Sequence, residues 1–148
     1  MRIETTPLLD YNNVLIRPKR TTLTSRKQVS LDREFFFRNS RLKYSGMPIM
    51  AANMDGVGTL EMADALGELG LFTCLNKNYE SGVLVDFFDP EIDFVRRSET
   101  TAYSMGISDE ELNKFMNVYE MTDGRIKYVC VDVANGYTER FNGFIHDL

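Results

Sequence analysis

The sequence predicts an α/β fold in which parallel strands alternate with helices. Four short apolar runs start at Pro48 (PIMAANM), Phe72 (FTCLNK), Thr101 (TAYSMG) and Tyr128 (YVCVDVA), 24, 29 and 27 residues apart. Each run is followed by a stretch of helical character, the alternation that makes parallel βα units. The runs are also nearly continuous in apolar residues, as strands covered on both faces are.

Taken in order, the first run leads into Leu60, Ala63, Leu66 and Leu69, which mark one helical face. After the second, Asp89–Pro90 has the form of a helix start, with proline in the first turn. After the third, Ser108 and Glu111 make a capping-box pattern, and Leu112, Phe115, Met116 and Tyr119 follow at helical spacing. After the fourth, Thr138 is placed to cap a helix carrying Phe141, Phe144 and Ile145. Four such units fit either a small doubly wound sheet or half of a (β/α)8 barrel, which needs about 250 residues.

The 148 residues are enough for one domain with a sizeable core, and the 43% hydrophobic and 26% charged content is that of a soluble globular protein. No apolar stretch approaches the ~20 residues that span a bilayer, so no membrane partner is expected. The start, MRIETTPLLD, carries no apolar h-region, and cytoplasmic location is the expectation. Cys74 and Cys130 each sit inside an apolar run and read as reduced buried thiols. A single histidine, His146, argues against histidine acid–base chemistry and His/Cys metal sites within the chain. Residues 1–50 carry ten Lys/Arg against four Asp/Glu, while the rest carry seven against 18. That basic head suits an anionic ligand, but without interleaved aromatics it does not point to nucleic acid.

In α/β folds of either kind, ligands gather at the carboxyl ends of the strands. Here those ends are polar: Asn53 and Asp55, then Lys77, then Gly106 and Ser108, then Asp132, Asn135 and Gly136. Four polar ends in equivalent positions predict one shared rim. Asn135–Gly136 also suits a hairpin turn, but the helical pattern from Thr138 favours a βα loop. Lys77 alone is more often a solvated lysine than a catalytic one, and its place between Asn76 and Asn78 at a strand end only brings the two readings level. Asp132 also reads simply as a turn cap. The GVGT stretch, Gly56–Thr59, is a small-residue loop into a helix and only a weak phosphate-cradle signal. Met50, Met54 and Met62 are expected in the core.

Several longer stretches carry a family resemblance. VLIRPKRTTLTSR (14–26), YSGMPIMAANMDGVGTLEMA (44–63), KNY (77–79) and VCVDVANGYTERF (129–141) together resemble the amino-terminal half of GMP reductase, within the IMP dehydrogenase/GMP reductase family. The resemblance covers essentially the whole chain. It implies a partial TIM (β/α)8 barrel of about four βα units, with residues 1–148 as a single domain, 1–46 as an N-terminal extension and 47–148 as the βα units. It also implies NADPH-dependent reductive deamination of GMP to IMP and ammonia in purine salvage, with the cofactor supplying the hydride.

By the same resemblance, Lys77 and Asp132 stand as the catalytic pair beside the nicotinamide. A lysine near a carboxylate suits a reaction that must deliver a proton to a departing nitrogen. Asp132, Val133, Ala134, Asn135 and Gly136 match a cofactor-contacting strand end. Ser25 and Arg26 match a pair that reaches the NADPH of a neighbouring subunit, where an arginine suits a 2′-phosphate. The family's nucleophilic cysteine lies in a loop beyond Leu148, so neither Cys74 nor Cys130 is that nucleophile, and the chain is expected to be inactive alone. No metal ligand is assigned within it. Asn76 and Asn78 stand where the family has histidines, and Ile107 and Gly56 where it has threonines. The open strand edges predict a homo-oligomer or association with a complementary carboxyl-terminal half-barrel. A non-catalytic module that binds a full-length family enzyme is a second reading, and an IMP dehydrogenase-like portion is a third.

Overall fold

A computed structural model of the chain describes residues 3, 5–89 and 94–148. Residues 1–30 and 31–148 form separate compact units. In the first, Asp10 and Ser25 each cap a short 3-10 turn, Tyr11–Asn13 and Arg26–Gln28. The second contains the sheet and its helices.

That second unit starts with an antiparallel hairpin of β1 (Arg33–Phe36) and β2 (Lys43–Gly46), which the sequence reading had placed in the extension. There follow β3 (Met50–Ala51), α1 (Leu60–Glu68), β4 (Phe72–Cys74), α2 (Ser81–Phe87), α3 (Phe94–Thr100), β5 (Thr101–Met105), α4 (Asp109–Met121), β6 (Val129–Val131) and α5 (Glu139–Asp147). All four apolar runs are strands, and all pair in parallel.

Their order is β3-β4-β5-β6, strictly sequential. A doubly wound sheet reverses its strand order at a switch point, and this sheet does not. Sequential parallel order is that of an arc of a (β/α)8 barrel. Its two outer strands are β3 and β6.

Alternation along the strands separates two apolar clusters. Leu75, Tyr103 and Met105 face the helices and join Ala63, Leu84, Phe87, Phe88, Phe115, Val118 and Ile126 in the larger core. Phe72, Cys74 and Ala102 face the other way, with Tyr44, Tyr128 and Cys130 packed beside them. The hairpin covers the amino-terminal end of this second face. Tyr44 meets the Phe72 ring edge-on at 5.7 Å, Phe72 meets Tyr128 at 5.2 Å, and Phe37 tilts against Tyr128 at 5.5 Å.

Caps explain where the helices begin. Thr59, Ser108 and Thr138 each accept an N–H from the first turn of α1, α4 and α5. α1 ends in a Schellman arrangement, in which Gly70 N–H reaches Gly67 O and Leu71 N–H reaches Leu66 O, with Gly70 at φ +68°. That turn carries Leu69 past the helix to the surface, 64% exposed, and so off the apolar face expected for it.

Two further differences have physical causes. Two helices follow β4, and the first of them, α2 from Ser81, was not expected, because Gly82, Val83 and Val85 give little helical signal. The expected Asp89–Pro90 start falls partly outside the described residues. Met50, Met54 and Met62, expected in the core, are 60%, 63% and 36% exposed. Met50 lies on an outer strand with β4 on one side only, and Met54 lies in the loop beyond that strand.

Candidate functional site

The carboxyl ends of the four strands do form one connected rim. From β3, the loop to α1 meets the loop after β4 at three points. Asn76 N–H donates to Gly58 O at 2.8 Å, Asn78 Nδ2 to Asp55 Oδ1 at 3.1 Å, and Leu60 N–H to the Tyr79 hydroxyl at 3.3 Å. Gly58 is required there, since a Cβ would collide with the backbone of Cys74, Ala52 and Asn76. Gly56 has open space around it, so a threonine would fit at that position.

The β4 loop is tied in turn to α4. Lys114 Nζ donates to Tyr79 O at 2.6 Å and reaches Lys77 O at 3.5 Å. At the end of β5, Gly106 N–H donates to Glu111 Oε1 and the Ser108 hydroxyl to Glu111 Oε2, each at 2.9 Å. Asp132 N–H donates to Met105 O at 2.7 Å, and Arg140 of α5 to Ile107 O at 3.2 Å, which joins the β6 loop to the same rim.

Lys77 stands at the centre of these ties. Its Nζ lies 3.9 Å from Asp132 Oδ2 and 3.9 Å from Glu111 Oε1. Lys77 and Asp132, predicted as a pair from motifs 55 residues apart, are thus brought together across β5. At these distances the ammonium is held by charge without a direct hydrogen bond, and both side chains remain over 40% exposed. Burial pushes the Glu111 carboxyl up. Hydrogen bonds from Ser108 and Gly106, with the Lys77 ammonium, outweigh it and leave the group below the usual carboxylate range.

Val133 is half-buried, while Ala134, Asn135 and Gly136 are exposed beyond β6. Asn135 Oδ1 accepts from Tyr137 N–H at 2.9 Å and turns the chain into α5, so this segment is a βα loop and no hairpin. Ser25 and Arg26 lie in the amino-terminal unit, both exposed, with Ser25 Oγ accepting from Lys27 N–H at 3.3 Å. The asparagines that flank Lys77 serve the loop itself, because Asn76 Oδ1 accepts from Asn78 N–H at 2.7 Å.

Sequence reasoning missed Glu111 as a site residue. It read the glutamate only as a helix cap, whereas its carboxylate reaches past the cap to Gly106 and Lys77. The buried Gly106 was the available signal, since a Cβ there would run into that carboxylate.

The two thiols are free and lie on the face opposite the helices. β5 separates their strands, which at ~4.8 Å per strand puts the backbones beyond disulfide reach. Cys74 Sγ donates to Met50 Sδ at 3.3 Å. Its thiol neighbour and burial push Cys74 up, while Cys74 and Ser104 bring Cys130 down to about 6. No helix of the described residues is long and apolar enough to cross a membrane.

No family model matches the chain. It is 46% identical over 147 residues to a protein named GMP reductase from Caenorhabditis elegans, with 97% of this chain and 39% of that one covered. A GMP reductase from Ascaris suum is 44% identical, with 97% and 40% covered, and human GMP reductase 2 is 44% identical, with 95% and 39% covered. The chain therefore spans about two-fifths of the length of the relatives it matches. Among solved structures, an inosine 5′-monophosphate dehydrogenase from Legionella pneumophila superposes with a TM-score of 0.67 at 19% identity, over 92% of this chain and 38% of that one. That match agrees with the sequential strand order, and the fold is a partial α/β barrel.

Proposed function

On the strength of this part-length kinship with the GMP reductases, we propose that the chain is the amino-terminal, cofactor-side portion of a GMP reductase-like oxidoreductase. The carrying observation is the meeting of Lys77 and Asp132 at the carboxyl ends of β4 and β6, 3.9 Å apart and open to a ligand. The full reaction would be NADPH-dependent conversion of GMP to IMP and ammonia. NADPH would supply the hydride, Lys77 and Asp132 would handle the proton for the departing nitrogen, and residues 132–136 would line the nicotinamide side. Nothing in the rim contradicts this: its backbone is tied down, and its central charges are exposed. Ser25 and Arg26 would serve the cofactor of a neighbouring subunit.

The chain would be inactive alone, because neither thiol stands in this rim. Cys74 and Cys130 lie within strands, on the face that the hairpin covers at one end. The outer strands β3 and β6 would pair with a complementary carboxyl-terminal half-barrel or a second copy. The test is NADPH absorbance over time with GMP present. The isolated chain is expected to give a flat trace, and a mixture with the carboxyl-terminal portion of a GMP reductase relative a GMP-dependent fall. A fall with the isolated chain would overturn the assignment of the nucleophile elsewhere.

A second reading, a non-catalytic module that pairs with a full-length enzyme of this family, is favoured by Asn76, Asn78 and Ile107. These place no titratable group and no hydroxyl around Lys77 where the family resemblance expects them. Co-purification with such an enzyme and a change in its rate would support it.

A further inference from the structure

We infer that Glu111 is a positioning residue that holds Lys77 as a fixed cation and leaves Asp132 as the proton-exchanging carboxylate of the rim. The inference rests on the reading of Lys77 and Asp132 as the reactive pair, and it divides their labour.

The two carboxylates that flank Lys77 stand at the same 3.9 Å from its Nζ but differ in what else holds them. Both Glu111 oxygens are already occupied, Oε1 by Gly106 N–H and Oε2 by the Ser108 hydroxyl. Glu111 also sits in the first turn of the 13-residue helix α4, where the helix dipole favours a negative charge. Gly106 leaves the space that this carboxylate fills. Such a group is anchored and has little reason to accept a proton.

Asp132 is the opposite. Its backbone is fixed by the bond to Met105 O, but its carboxylate has, among the described residues, only the 3.9 Å ion pair with Lys77. Its side chain is 46% exposed, against 33% for Glu111. Both oxygens can therefore take a proton or a hydrogen bond from a ligand.

Consider a proton that arrives at Asp132 Oδ2. An O–H bond forms and the Asp132 charge is lost, but Lys77 keeps Glu111 as its counter-charge and stays protonated. Without Glu111, the same event would leave the ammonium uncompensated. The glutamate thus lets the aspartate change charge while the lysine stays in place. Other charged groups near the rim do not duplicate this role. Lys114 is engaged with Tyr79 O, Arg140 with Ile107 O and Asp55 with Asn78. Cys130 faces Asp132 from β6 and opposes its negative charge when ionised.

The test follows the order of the Lys77 side chain by 13C relaxation at Cε in the 148-residue chain at pH 7. Glu111→Gln is expected to raise Lys77 mobility more than Asp132→Asn does, because Glu111 is the carboxylate anchored by Gly106 and Ser108. Ser108→Ala, which frees one Glu111 oxygen, should give a smaller rise and serves if the glutamine variant does not fold. If Asp132→Asn frees Lys77 as much as Glu111→Gln or more, the positioning role is overturned and the pair stands. If neither variant moves Lys77, the pairing of Lys77 with Asp132 is itself overturned.

Discussion

Arg97 grips Asp64 with two parallel hydrogen bonds, Nε to Oδ1 and Nη2 to Oδ2, both at 2.8 Å. The same guanidinium donates to Phe87 O at 3.0 Å and lies 4.4 Å over the Phe87 ring, so one side chain on α3 fastens both α1 and α2. Fork, carbonyl bond and ring stacking together are something only arginine supplies. Arg97→Ala is therefore expected to destabilise the chain by about 2–3 kcal/mol, a figure reduced because Asp64 is partly solvated. Arg97→Lys should cost roughly half as much. Urea unfolding measures both, and equal losses for the two variants would mean that charge alone does the fastening.

Thr73 and Thr101 sit opposite each other on β4 and β5, both fully buried, and neither hydroxyl has a hydrogen-bond partner among the described residues. A buried hydroxyl without a partner costs free energy that an isosteric methyl does not. Thr73→Val and Thr101→Val are each expected to raise stability by about 1 kcal/mol. A loss in either would place a hydrogen bond at that hydroxyl.

The Glu111 carboxyl lies below the ordinary range in the folded chain, so the unfolded chain binds that proton more tightly. The stability it contributes is fully present above the unfolded value near ~4.3 and is lost as pH falls through the folded one. Urea midpoints taken from pH 6 downward should show the wild type losing ground on Glu111→Gln as acid is added. Parallel curves would refute the assignment.

Cys130 is lowered to about 6 chiefly by the neighbouring Cys74 thiol, which is itself pushed up. Alkylation by iodoacetamide at pH 7 should label Cys130 and spare Cys74, as read by peptide mass spectrometry. Cys74→Ala removes that neighbour and should move the onset of Cys130 labelling to higher pH. Equal labelling of both thiols would contradict this division between them.

How much of this was legible depended on whether the signal was local. The four strands and the helices α1, α4 and α5 could be read because apolar periodicity and capping residues such as Ser108 and Thr138 lie within a few positions of each other. The hairpin at Arg33–Phe36 and Lys43–Gly46 was not read, since its aromatic face shows its purpose only against Phe72 and Tyr128. On α4 Leu112, Phe115 and Tyr119 pack on the core as their spacing indicates, and Val118 joins Phe115 as a buried position, while Met116 at the edge of that face points outward at 42% exposure. The rim was anticipated from four polar strand ends. Glu111 was not, because its second role depends on a lysine 34 residues away on another strand end.

The central claim is that Lys77 and Asp132 mark a cofactor-side site, and NADPH fluorescence titration of the 148-residue chain tests it most directly. Saturable enhancement is expected for the wild type, weakened about tenfold or more in Lys77→Ala, with circular dichroism unchanged. A wild type that gives no saturable signal, or a Lys77→Ala variant that binds as the wild type does, would contradict the account.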